Sequence, residues 1–219
     1  MEQTGKQSET LEKPAERNQP GTGRIEAFSD GVIAIIITIM VLNLKLPYGS
    51  DNALADNAFS TILPQLITYA LSFLVVAVLW VNHHQLMPTA PVASRALMWW
   101  NNNLLFWMSL IPFVTNFFGE HPFSPVAAAS YGTVLALTIA AFMMLQRHIA
   151  MRTRAADDVS AMHRRISKRT TIAIALYLLG VACAFVFIYA SLAIFVLTPA
   201  LLFMPEALPK IEPEELEVK

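Results

Sequence analysis

The sequence is short of charge and of cysteine, and each shortage removes a class of protein. Only 14% of its 219 residues are charged while 55% are hydrophobic, and the mean hydropathy is positive, outside the balance of a soluble globular domain. The formal net charge is -1, and no Lys/Arg stripe with interleaved aromatics lies outside the loops, which argues against a nucleic-acid partner. One cysteine, Cys183, stands inside an apolar run, so an intrachain disulfide and a thiolate metal cluster are both excluded. It reads as a small core hydrophobe. Gly-x-Ser-x-Gly, His-Glu-x-x-His and Walker phosphate-loop motifs are all missing. We expect no enzyme, no cofactor and no resident metal.

What the sequence has is long apolar runs. Hydrocarbon about 30 Å thick needs roughly 20 mostly apolar residues per helix. The runs at residues 25–46, 59–87, 93–118, 124–150, 170–190 and 192–204 therefore read as six transmembrane helices, an all-α integral membrane protein. The first closes at Pro47-Tyr48-Gly49-Ser50 and the second at Pro88, with Pro64 in its opening turns. No strong breaker separates the last two; the run from Ile172 to Met204 is too long for one helix, so we divide it at Tyr189 to Ser191.

Positive charge near helix ends is retained in the cytoplasm. Arg147, Arg152, Arg154, Arg164, Arg165, Lys168 and Arg169 surround the fourth loop, which puts that loop inside. Alternating crossings then place Arg24, Arg95 and both termini inside and Lys45 outside. The polar segment 1–23 lacks the apolar core of a signal peptide and is expected to be a disordered cytoplasmic tail. Residues 24–206 form the membrane domain, and 207–219 an acidic cytoplasmic tail.

Ionisable groups inside lipid need partners or water. Arg24 and Glu26 are expected at the interface, whereas Asp30 sits a turn inside the run and should accept hydrogen bonds from a partner helix or a nearby Arg. Beyond it, residues 32–42 are apolar on every side except Thr38, so periodicity reveals no preferred face. Residues Ile35, Thr38 or Ile39, and Leu42 share one stripe by spacing alone. The adjacent His83 and His84 point about 100 degrees apart and do not make the i, i+4 metal pair; interfacial or interhelical hydrogen bonding is expected of them. Of Asn101, Asn102 and Asn103, at least one should bond across helices.

Arg24-Ile25-Glu26-Ala27-Phe28-Ser29-Asp30-Gly31, followed by Ile35 and Thr38, resembles the signature of the transmembrane protein 175 family of potassium channels. The likeness extends to Trp80-Val81-Asn82-His83 and to Asn101 followed by Leu110-Ile111-Pro112. The resemblance implies a homotetramer of six-helix subunits in the prokaryotic plasma membrane. Helix one would line a central pore through Ile35, Thr38, Ile39 and Leu42, with potassium passing near Ile35 and Thr38. Ile35 matches a hydrophobic constriction, which would act as filter and gate. Arg24, Phe28, Ser29, Asp30, His83 and Asn101 would form the supporting network. The alternatives are a secondary transporter and, more remotely, a membrane enzyme using Asp30, His83 and His84.

Overall fold

The computed structural model describes residues 21–44, 53–152 and 157–203. Residues 1–20 of the expected N-terminal tail (1–23) and the whole of the expected C-terminal tail (207–219), together with Lys45 and Arg154, lie outside the described residues. Seven α-helices and no strand occur among the described residues: α1 (Gly23–Leu42), α2 (Ala53–Leu86), α3 (Arg95–Ser109), α4 (Ile111–Glu120), α5 (Pro125–Arg152), α6 (Asp157–Val186) and α7 (Ile188–Phe203). Four stretches, Gly23–Leu42, Ile62–Thr89, Pro125–Arg152 and Ser167–Val186, are long and apolar enough to cross a membrane. At 1.5 Å per residue, the 34 residues of α2 extend for about 51 Å.

Local chemistry sets the helix limits; α2 and α6 begin earlier than expected, at Ala53 and Asp157 rather than at 59 and 170, and three further departures from the sequence reading have a visible cause. First, α1 stops at Leu42, four residues before the expected end, and the N–H of Asn43 closes on the Ile39 carbonyl at 3.2 Å. Second, the expected single helix over 93–118 is two helices meeting at Leu110. Pro112 lies in the first turn of α4, where its missing N–H is harmless, but inside a continuous helix it would have opened the backbone ladder. Third, the last two helices part at Phe187 rather than at Tyr189 to Ser191. The Phe187 carbonyl accepts from the N–H groups of Ala190 (3.1 Å) and Ser191 (3.4 Å), starting α7 afresh. Ser94 caps α3, its hydroxyl accepting from the N–H of Leu97 at 3.1 Å.

The core gathers around α5, which buries Ala127, Tyr131, Leu135, Ile139, Phe142 and Leu145 against its neighbours α3, α4 and α6. Helices α6 and α7 pack as a hairpin beside it. Where these elements meet, the Phe195 ring lies 5.5 Å from Tyr131, 5.9 Å from Tyr177 and 6.0 Å from Phe118, centroid to centroid. It fits because two glycines leave room. A Cβ on Gly132 would come within 2.6 Å of the Phe195 ring, and one on Gly180 within 2.4 Å. Close approach through small residues is the usual way membrane helices pack.

Phe195 is 1% exposed and ringed by aromatics, so it cannot swing aside for a new methyl. Gly180→Ala should therefore destabilise the fold by about 1–3 kcal/mol through overpacking. Thermal unfolding in detergent checks this, and adding Phe195→Leu to the same chain should recover much of the loss.

Candidate functional site

Helix α1 leans on α2, α3 and α4 with one face only. Ile25, Ser29, Ile33, Ile36 and Met40 are buried, at steps of three and four residues. The opposite face points away from the rest of the chain. Arg24, Phe28, Gly31, Ile35, Thr38 and Leu42 fall along it, also at steps of three and four, and all are exposed. Phe28 is 59% exposed, Ile35 58% and Leu42 79%, with Ile39 beside them at 43%. For branched apolar side chains in mid-helix these values are high, and they define an apolar surface that the subunit itself leaves uncovered. The Thr38 hydroxyl donates to the Ile35 carbonyl at 2.9 Å.

The buried face is held by a chain of polar groups from three helices. The Ser29 hydroxyl donates to the Ile25 carbonyl at 2.8 Å and accepts from Asn101 Nδ2 at 2.8 Å. Asn101 Oδ1 in turn meets His83 Nε2 at 2.8 Å. Since that amide oxygen can only accept, Nε2 carries the proton. His83 Nδ1 is buried and has no partner among the described residues. Ser29, His83 and Asn101 are 0%, 1% and 1% exposed, so each member satisfies a group that would otherwise stand unpaired in an apolar setting.

A second, wetter set lies at the same end of α1. The indole N–H of Trp80 donates to Asp30 Oδ1 at 2.9 Å, and His84 Nδ1 lies 2.7 Å from Glu26 Oε1. The Trp80 and His84 rings stack with centroids 6.0 Å apart. At the other end of α1, Asn43 Nδ2 makes a long 3.5 Å contact with the Pro112 carbonyl at the α3–α4 break. Between them opens a groove of about 420 Å³, lined by Ile35, Ile36, Ile39 and Asn43 on one side and by Ser109, Pro112, Phe113 and Asn116 on the other.

The structure thus brings together Ser29, His83 and Asn101 from the expected network. It gives Asp30 an indole partner from α2 rather than an arginine. Arg24 and Phe28 are exposed, and no hydrogen bond or ring contact joins them to that network among the described residues. Ile35, Thr38, Ile39 and Leu42 share the open face. Sequence reasoning missed the Glu26–His84 pair, having left Glu26 in interfacial water. The available signal was a match of spacings: Glu26 and Asp30 are four apart, as are Trp80 and His84, so two helices laid side by side can pair both at once.

A family model described as the endosomal/lysosomal potassium channel TMEM175 matches residues 24–112, the stretch that carries the open face of α1 and both polar sets. A protein from Chryseobacterium sp. (strain P1-3), named a potassium channel, is 37% identical over 186 residues, 84% of this chain and 93% of its own length. The chain belongs to the TMEM175 family. This is a family of ion channels and not of enzymes, and membership makes the apolar helices those of a membrane protein. A second relative in the TMEM175 family, a protein from Chamaesiphon minutus named a potassium channel, is 33% identical over 183 residues, 80% of this chain and 90% of its own. The crystal structure of a homolog, from that organism, of the lysosomal potassium-selective channel TMEM175 aligns with a TM-score of 0.70 at 30% identity. The alignment covers 83% of this chain and 95% of that one.

Proposed function

We propose that the protein is a potassium-permeable leak channel in which four copies of α1, one from each subunit of a homotetramer, surround a central pore. The observation that carries this reading is the open face of α1. A helix anchored by buried polar groups on one side and left with exposed Ile35, Thr38, Ile39 and Leu42 on the other is a half-built wall, and symmetry-related copies complete such a surface at low cost. Relatives named potassium channels support the choice of ion.

In this reading α3 and α4 together make one bent crossing and α7 a short sixth. Arg147, Arg152, Lys168 and Arg169 hold the α5–α6 end in the cytoplasm with both termini, in the plasma membrane of a prokaryote. Ile35 forms the constriction. An ion passing a ring of branched apolar side chains must shed part of its hydration shell, and potassium sheds water more readily than sodium, so selectivity is modest. The same ring dewets when it narrows and thereby gates.

The test is the reversal potential of purified protein in planar bilayers with potassium on one side and sodium on the other. A potassium-directed potential is expected, along with tetramers after cross-linking in mild detergent; monomers alone would defeat the shared pore. A secondary transporter is the second reading, favoured by the break at Leu110, since transporters bind substrates on interrupted helices. Saturable, ion-coupled uptake with no current would establish it instead.

A further inference from the structure

Glu26 and Asp30 lie one turn apart on α1, and His84 reaches them from α2. One ligand atom from each lies within 4.8 Å of the other two. We propose that these three side chains bind a divalent transition ion of the zinc class, tying α1 to α2 at the N-terminal end of α1.

The donor set is one imidazole and two carboxylates from two helices, which suits zinc or cobalt and disfavours magnesium and calcium, ions that seek all-oxygen shells. Tetrahedral ligands bonded at about 2.1 Å stand about 3.4 Å from each other. Ligand atoms within 4.8 Å of one another reach that spacing by small side-chain rotations, and His84, 59% exposed, is open enough to admit the ion. His84 Nδ1 and Glu26 Oε1, 2.7 Å apart, already converge on the place where the ion would sit.

The surroundings prepare the ligands. The Trp80 indole holds Asp30 Oδ1 and leaves Oδ2 for the metal, while its ring stacks on His84 and sets the imidazole plane; outer contacts of this kind orient metal ligands in known sites. His83 is turned the other way, onto Asn101, so the adjacent histidines do not compete. All three ligands come from one chain, and the site stands whether or not the protein conducts.

Full-length protein in lipid nanodiscs, titrated with cobalt(II), should develop a visible absorption band that saturates at one ion per chain. Zinc should bleach it and excess magnesium should not. His84→Ala and, separately, Glu26→Gln should each weaken cobalt binding at least tenfold, with His121→Ala, remote from the cluster, leaving it unchanged. Zinc should also raise the melting temperature of the wild type and not of His84→Ala. No band in the wild type, or wild-type affinity in both variants, would overturn the assignment.

Discussion

Ile35→Asn is expected to bring the potassium-against-sodium reversal potential close to zero while the protein still folds and inserts. Ile35 stands 58% exposed on the open face of α1, outside the buried stripe, so an amide there removes little packing and stability should change by about 0.5 kcal/mol or less. In the proposed pore its effect on permeation is large, because a polar ring would keep water in the constriction and remove the dehydration step that separates the two ions. Each tenfold loss in permeability ratio appears as about 59 mV. Ile33→Asn is the informative contrast. That position is 2% exposed, and the same substitution should abolish the folded protein rather than its selectivity. A potential unchanged in Ile35→Asn would move the filter elsewhere.

Asn101→Ala should destabilise the subunit by about 1–3 kcal/mol. The side chain is the centre of the Ser29–Asn101–His83 chain, and its removal strands Ser29 Oγ as an acceptor and His83 Nε2 as a donor in buried surroundings. Individual hydrogen bonds between membrane helices contribute modestly, but here two are lost at once and α1, α2 and α3 lose their common joint. Thermal unfolding in detergent measures the loss. Asn102→Ala, the neighbour whose side chain is exposed, should leave the melting temperature within error of wild type. Equal stability of Asn101→Ala and wild type would remove the chain from any account of what holds α1.

The helical class and the approximate helix positions were legible because a run of twenty apolar residues has few other meanings in a chain this poor in charge. The breaks were harder. Pro112 signalled a new helix start, yet the apolar pattern runs unbroken across Leu110, and hydrophobicity drowned the proline. At Phe187 the residue types give no signal at all; the turn follows from how α6 and α7 fold back around Phe195. The two faces of α1 were equally hidden, since isoleucine and valine surround the helix and only the neighbouring helices distinguish Ile33 from Ile35. Ser29, His83 and Asn101 were grouped through resemblance to a family motif. The Asp30 contact with Trp80 needed coordinates, because a carboxylate in an apolar run announces only that some donor is close.

Asn101 and Trp80 grip the first turns of α1, Asn43 touches Pro112 at its far end, and Ile33, Ile36 and Met40 are wedged in between. A rod clamped at both ends and along one side has few soft modes. Tilting or spinning it as a body requires several of these contacts to break together, an event on the microsecond to millisecond scale. The free side chains are under no such restraint, and rotamer hops at Ile35 or Leu42 take picoseconds to nanoseconds. Two clocks therefore act on one helix, and in the proposed pore they would read out differently: rapid side-chain flicker as nothing more than reduced current at ordinary recording bandwidth, and rare unclamping as discrete closures.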